Sequence, residues 1–217
     1  MEALVLDFIV KESISQDLKC GDNLSLGHYV IIEPNVKLGN NVKIGHRVTL
    51  KSGTIIGDDC IIDDHSITTG ACYVGNNVNV RAGAIISKAV IIEDYCFYGP
   101  GVITNHTKHV AHGRKSTIPD EQLLTYIGYG SILGSQASIL AGVRIGPQTI
   151  IGGGTVVNRD LSAKSVYVGS PAKRIGNLPE RYLMNEPENA GAMYLTKKIL
   201  DHLKDYIPNL NIASYYP

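Results

Sequence analysis

The chain has 217 residues, with 20 Lys plus Arg balanced by 20 Asp plus Glu, no Trp and 2 Phe. That length suits one elongated domain, and the charge balance gives no support for a nucleic-acid partner. No apolar run approaches a membrane span and no basic segment precedes a long apolar core at the N-terminus, so neither a bilayer crossing nor a secretory signal is expected and the default compartment is cytoplasmic.

From Val30 the chain divides into six-residue blocks, beginning VIIEPN, VKLGNN, VKIGHR and running unbroken to VITNHT. The third place of successive blocks reads Ile32, Leu38, Ile44, Leu50, Ile56, Ile62, Thr68, Val74, Val80, Ile86, Ile92, Tyr98, Thr104. The first place is small or β-branched, as at Val36, Thr54, Cys60, Ser66, Cys72 and Cys96, and the fourth is often Gly (39, 45, 57, 75, 99). A six-residue period fits neither a long helix nor an antiparallel meander; it is the signature of a parallel β-helix, whose short strands stack coil upon coil. Third-place residues then point into a narrow tube, the small residue four places on fills the space beside them, and Gly, Asn and Asp at the corners suit turns that need φ > 0. With about eighteen residues per triangular coil, the blocks give roughly six to seven coils. Cys60, Cys72 and Cys96 read as small core hydrophobes, and Cys20 takes an aliphatic place.

The rhythm stops after Thr104 and resumes at Ile127, continuing through Leu133, Ile139, Ile145, Ile151 and Val157. The insertion, 105–126, holds His106, His109 and His112 with Lys108, Arg114 and Lys115. Loops of this kind in a regular scaffold are disproportionately functional, and a basic, histidine-bearing flap suits an anionic substrate. After Val157 the pattern fades, and 179–217 reads as a helical tail following a β-helix domain at 1–178: Pro179–Met184, then roughly Glu188–Tyr206, where Met193, Leu195, Ile199, Leu200 and Leu203 recur at helical spacing. Capping an open coil or contacting a neighbouring subunit is the expected role of this tail. His28, His46 and Asp64 are spaced to stack in one column, which suits a metal or a ladder of surface polar groups alike, and His106, His109 and His112 also carry a spacing that can gather zinc.

Three segments resemble one family. The repeat, the stretch Tyr98-Gly99-Pro100-Gly101-Val102-Ile103-Thr104-Asn105, and the closing Val168-Gly169-Ser170-Pro171-Ala172-Lys173-Arg174-Ile175 are together similar to the hexapeptide-repeat acyltransferases. The Tyr98–Asn105 stretch resembles the approach to the loop in bacterial acetyltransferases of nucleotide-linked amino sugars. The Val168–Ile175 segment is similar to the closing motif of many acetyltransferases of this superfamily. The resemblance implies an all-β fold, a left-handed parallel β-helix assembled as a homotrimer, with acetyl-CoA as acyl donor. It implies transfer to a sugar, foremost the amine of a nucleotide-linked amino sugar in surface polysaccharide biosynthesis. The chain departs from the amino-sugar pattern in carrying His106 after Asn105, with Arg114 farther on. His106 falls near the loop histidine that acts as base in galactoside and maltose acetyltransferases.

Acyl transfer needs a proton acceptor for the attacking group and donors for the developing oxyanion. On this reading His106 is the general base and Asn105 orients the acceptor, with Tyr98, His109 and Arg114 as substrate contacts. The oxyanion donor is a backbone N–H between Gly134 and Gly142. The acyl carrier lies along Ala141, Gly142 and Gly153, with Lys173 and Arg174 at its phosphates. A tube this narrow has no room inside for substrate, so the chemistry falls on its outside, at a boundary with a neighbouring subunit. Other readings are an O-acetyltransferase of a sugar or antibiotic hydroxyl, a zinc enzyme resembling the γ-type carbonic anhydrases, and a non-catalytic trimeric scaffold.

Overall fold

A computed structural model describes residues 13–110, 117 and 121–212. Short strands, most of them two residues long, stack in parallel into three sheets, and before the insertion a strand pairs with the one eighteen residues on: Ile31 with Thr49, Lys43 with Ile61, Tyr73 with Ile91. One face, the tail face, runs from Lys19–Cys20 to Arg144–Ile145 and is covered by the C-terminal tail. A second, the open face, runs from Ser25–Leu26 to Ile150–Ile151 and on to Ser165–Val168. The third, the loop face, runs from Ile31–Ile32 to Val156–Val157 and leads into the insertion at Thr104. Each face carries seven stacked strands and the open face an eighth, Ser165–Val168. The solenoid is therefore slightly longer than the repeat predicts, because a segment whose sequence has lost the pattern still adds a rung.

The third-place residues line the tube. From Ile32 to Thr104 all are at most 5% exposed, as are the small residues at the block starts. The sixth place takes the left-handed conformation, not only in Asn35, Asn41 and Asp59 but also in Arg47, His65 and Tyr95, with φ of 56–63°. Such a backbone costs non-glycine residues about 1–2 kcal/mol. Hydrogen bonds between turns offset it, among them Asn41 N–H to Asp22 O (2.8 Å) and Arg47 N–H to His28 O (2.8 Å). The fourth-place glycines serve a purpose other than the positive φ expected of corner glycines. At Gly45 a Cβ would lie 2.6 Å from the Asp64 nitrogen of the next coil, so the absence of a side chain lets the coils approach.

Cys60, Cys72 and Cys96 are buried and free, whereas Cys20, on the first rung of its face, is exposed rather than part of the core. Burial pushes the thiols of Cys60 and Cys72 up to about 12.

The insertion shows directly in the register. Phe97 pairs with Ile132 and Ile103 with Ser138, separations of 35 rather than 18, so 17 residues leave the solenoid here.

The tail differs from its predicted form. The first helical segment is one 3-10 turn, Glu180–Tyr182, and the second is reduced to a single helix, α1 (Lys197–Tyr206), begun by Thr196, whose side chain accepts from Ile199 N–H. The preceding residues do not extend it, since the N–H groups of Gly191 and Met193 bond to the buried Glu93 carboxylate, 2.7 and 2.8 Å away, instead of to helix carbonyls. α1 lies along the tail face. Ile199, Leu200, Leu203, Ile207, Leu210 and Ile212 form a second core with Ala71, Ala89, Ile91, Leu124 and Tyr126. The last coil is closed by the Ser165–Val168/Lys173–Asn177 hairpin, whose Ala172 is fully buried in the tube core.

Candidate functional site

The loop leaves the solenoid from a fixed platform. Thr104 is buried; its hydroxyl accepts from Ser87 N–H (2.9 Å) and its carbonyl from the Ser87 hydroxyl (2.6 Å). Asn105 is fastened to the next coil twice, through its main-chain N–H (2.9 Å) and its Nδ2 (3.1 Å), both donating to Ile139 O. Its carboxamide oxygen makes no hydrogen bond among the described residues. His106 follows, half-buried, its carbonyl accepting from Leu123 N–H on the returning arm of the loop (2.9 Å). The inner ring nitrogen, Nδ1, is buried and has no hydrogen-bond partner among the described residues. Burial, and after it the Lys88 ammonium on the preceding coil, holds the imidazole below the ordinary histidine range.

Thr107 bridges Gln122 and so closes the base of the loop. His109 is exposed beyond it. Arg114, with His112 and Lys115, lies outside the described residues. Tyr98 is not on the surface at all: it is fully buried in the tube, its hydroxyl has no partner among the described residues, and it cannot touch an acceptor. The reason is its place in the repeat, since a third-place residue points inward whatever its chemistry.

The residues assigned to the acyl carrier fall into two groups. Gly153, with Gly154 beside it, forms an exposed corner between the open and loop faces, where a Cβ on Gly153 would stand 3.2 Å from Ser135 O and one on Gly154 would meet nothing within 4 Å. Lys173 belongs to the adjoining hairpin, is exposed and makes no ion pair or side-chain hydrogen bond among the described residues, while Arg174 is engaged by Ser165 (3.0 Å) and Asn177. Ala141 and Gly142 sit at the other edge of the loop face, beneath Asn105. The outer side of Gly142 is covered by Leu123, 3.0 Å from where a Cβ would stand.

The column His28–His46–Asp64 is a ladder: His46 Nδ1 accepts from His28 N–H (2.9 Å) and Asp64 Oδ1 from His46 N–H (2.7 Å), and the two rings stack at 5.1 Å. These acceptors already serve the turns. Two adjoining cavities, about 420 and 280 Å³, lie between α1 and the first coils of the tail face and share Lys37 and His202; neither is lined by a residue assigned to acyl transfer or metal binding in the sequence. Sequence reasoning missed Lys88, Leu123 and the C-terminal residues that brace the loop root, since none of them stands out from its surroundings in the chain.

The family described as Bacterial transferase hexapeptide (six repeats) matches residues 17–52, the first two coils. Serine acetyltransferase 4 of Arabidopsis thaliana is 24% identical over 128 residues, 51% of this chain and 36% of that protein. Serine acetyltransferase 2 of the same plant is 33% identical over 79 residues, 36% and 23% of the two chains. The chain thus spans about a third or less of these curated relatives. Among solved structures, a mutant of AntD, an N-acyltransferase from Bacillus cereus in complex with dTDP and coenzyme A, aligns with a TM-score of 0.50 at 20% identity, covering 72% of this chain and 85% of that one; this likeness is one of fold. The matches bear out the resemblance to the hexapeptide-repeat acyltransferases in repeat, fold and relatives.

Proposed function

We propose that this protein is an acetyl-CoA-dependent acetyltransferase whose acceptor is the amine of a nucleotide-linked amino sugar, with His106 as general base. The observation that carries the reading is the state of His106: half-buried at the root of the solenoid's insertion, held below the ordinary histidine range and unpartnered at Nδ1 among the described residues. A neutral imidazole there can accept a proton at Nε2 while Nδ1 keeps the ring hydrogen. Asn105, fastened through Nδ2, offers its carboxamide oxygen to orient an incoming N–H or O–H.

Acetyl-CoA supplies an acyl group activated as a thioester. The residues present fit such a donor in part: the Gly153–Gly154 corner has open space at Gly154 for its arm, and the Lys173 ammonium, unpaired among the described residues, suits a phosphate. This corner and His106 lie on opposite edges of the loop face. A second copy packed against that face would bring one chain's corner to the other's histidine, which supports a site between subunits of a homotrimer. The loop face is suited to such packing, with Ile31, Ile67 and Ile103 exposed by 46, 37 and 40%.

A second reading, acetylation of a hydroxyl, is favoured by the curated relatives, whose names make serine their acceptor. Coenzyme A thiol release, measured with a panel of nucleotide-linked amino sugars, plain sugars and serine, separates the two. His106→Ala is expected to lower the rate by about 10²–10⁴-fold with the best acceptor. Wild-type turnover in that variant, or no thiol release with any acceptor, would overturn the assignment, and stoichiometric zinc in the purified protein would revive the metal reading.

A further inference from the structure

We propose that the C-terminal strand Leu210–Asn211 is a positioning element for His106, holding the returning arm of the loop against the outgoing one. The inference rests on the reading of His106 as the base. The outgoing arm, His106–Thr107, and the returning arm, Gln122–Leu123, meet through one backbone bond, Leu123 N–H to His106 O (2.9 Å), and the bridge between Thr107 and Gln122. A ladder this short is marginal by itself. Leu210–Asn211 adds a third strand, pairing in parallel with Gln122–Leu123, Gln122 with Leu210 and Leu123 with Asn211. The Asn211 carboxamide also donates to Glu121. Leu210 and Ile212, 6 and 4% exposed, anchor this strand in the core shared with α1 and with Leu124, the residue after the returning arm.

Four links therefore run from the chain's end to the imidazole: the second core, the strand Leu210–Asn211, the returning arm, and the His106 carbonyl. On this proposal the arm that Leu210–Asn211 holds, bonded to the His106 carbonyl, sets how deeply the histidine sits. Of the charged groups nearby, Lys88 faces the ring from the preceding coil, Glu121 is bound to Asn211, and Lys108 and His109 are exposed on the outgoing arm. Releasing the arm admits water to the imidazole and lets it titrate closer to an ordinary histidine.

The test uses the full chain with Asn211→Pro, which cannot extend the strand ladder, and Asn211→Ala, which removes only the side-chain link. The proline variant is expected to lower kcat by roughly ten- to a hundredfold with little change in KM. In both variants the His106 ring, followed by NMR on ¹³C-labelled histidine, should titrate at higher pH than in the wild type, less so for alanine. If the proline variant does not fold, Asn211→Ala and Leu210→Ala carry the same measurements. Unchanged kcat and an unchanged His106 titration in folded variants would overturn the proposal. The ring titration needs no turnover, so it decides the positioning role even if His106→Ala proves fully active and the functional reading falls.

Discussion

His106 illustrates how one side chain's chemistry is set by where a loop leaves a regular scaffold. Burial disfavours the imidazolium and the Lys88 ammonium pushes the same way, so the neutral imidazole persists as pH falls through the usual histidine value of about 6.5. If His106 is the base, the acidic limb of kcat/KM should lie below that value and move upward in Lys88→Met; a limb unmoved by the substitution would count against this account. The same shift makes His106 a source of acid sensitivity. The unfolded chain takes up the proton at higher pH than the folded one, so its contribution to stability is present above the unfolded value and is lost as pH falls toward the folded one. Tyr98 is the opposite case, a residue whose chemistry suggests a substrate contact and whose place is the core. Its buried hydroxyl has no partner among the described residues, and leaving such a group unsatisfied costs about 1–3 kcal/mol. Tyr98→Phe is therefore expected to leave stability unchanged or raise it, and to leave acyl transfer intact; thermal unfolding and the thiol-release assay check both.

Among the elements, the tail is held by the second apolar core and by a buried carboxylate. Glu93 accepts from Tyr126 Oη, Tyr129 N–H, Gly191 N–H and Met193 N–H, four donors from the solenoid and the tail together. Fully buried, it has no salt-bridge partner among the described residues, and these donors stand in for water. Glu93→Ala would leave three backbone N–H groups and a phenol without an acceptor, an expected loss of about 3 kcal/mol or more. Hydrogen exchange should show the amides of Gly191 and Met193 opening first, with α1 losing protection after them. Protection equal to the wild type would mean that the apolar contacts of α1 hold the tail unaided. Because the tail also supplies the strand beside the loop root, the variant is expected to weaken catalysis as well as folding.

For the whole molecule, the three faces are unequal. The tail covers one, and the loop face, from whose end Asn105 and His106 follow, presents exposed isoleucines. If a homotrimer packs through this face, Ile67→Glu should leave the solenoid's circular dichroism unchanged and dissociate the assembly, since a charge buried at the contact has no partner there. Sedimentation of both proteins measures this, and a wild type that sediments as a monomer would remove the premise.

The inward residues from Ile32 to Thr104 were legible one by one, because a repeat confronts each block with the same neighbours, eighteen residues away, whichever coil it occupies. The position of the insertion was legible for the same reason, as the place where the period fails, and with it Asn105 and His106. Glu93 was not: by its block it is one more fourth-place residue, and only donors as far as 98 and 100 residues away make it the latch of the tail. Tyr98 was legible as an inward residue from its place in the block, and only its chemistry suggested a substrate contact. The sequence by itself determined the solenoid, through a period that is local and repeated. Only the tertiary structure decided where the tail lies, what braces the loop root and what surrounds His106, because each of these depends on single contacts between distant residues that no period records.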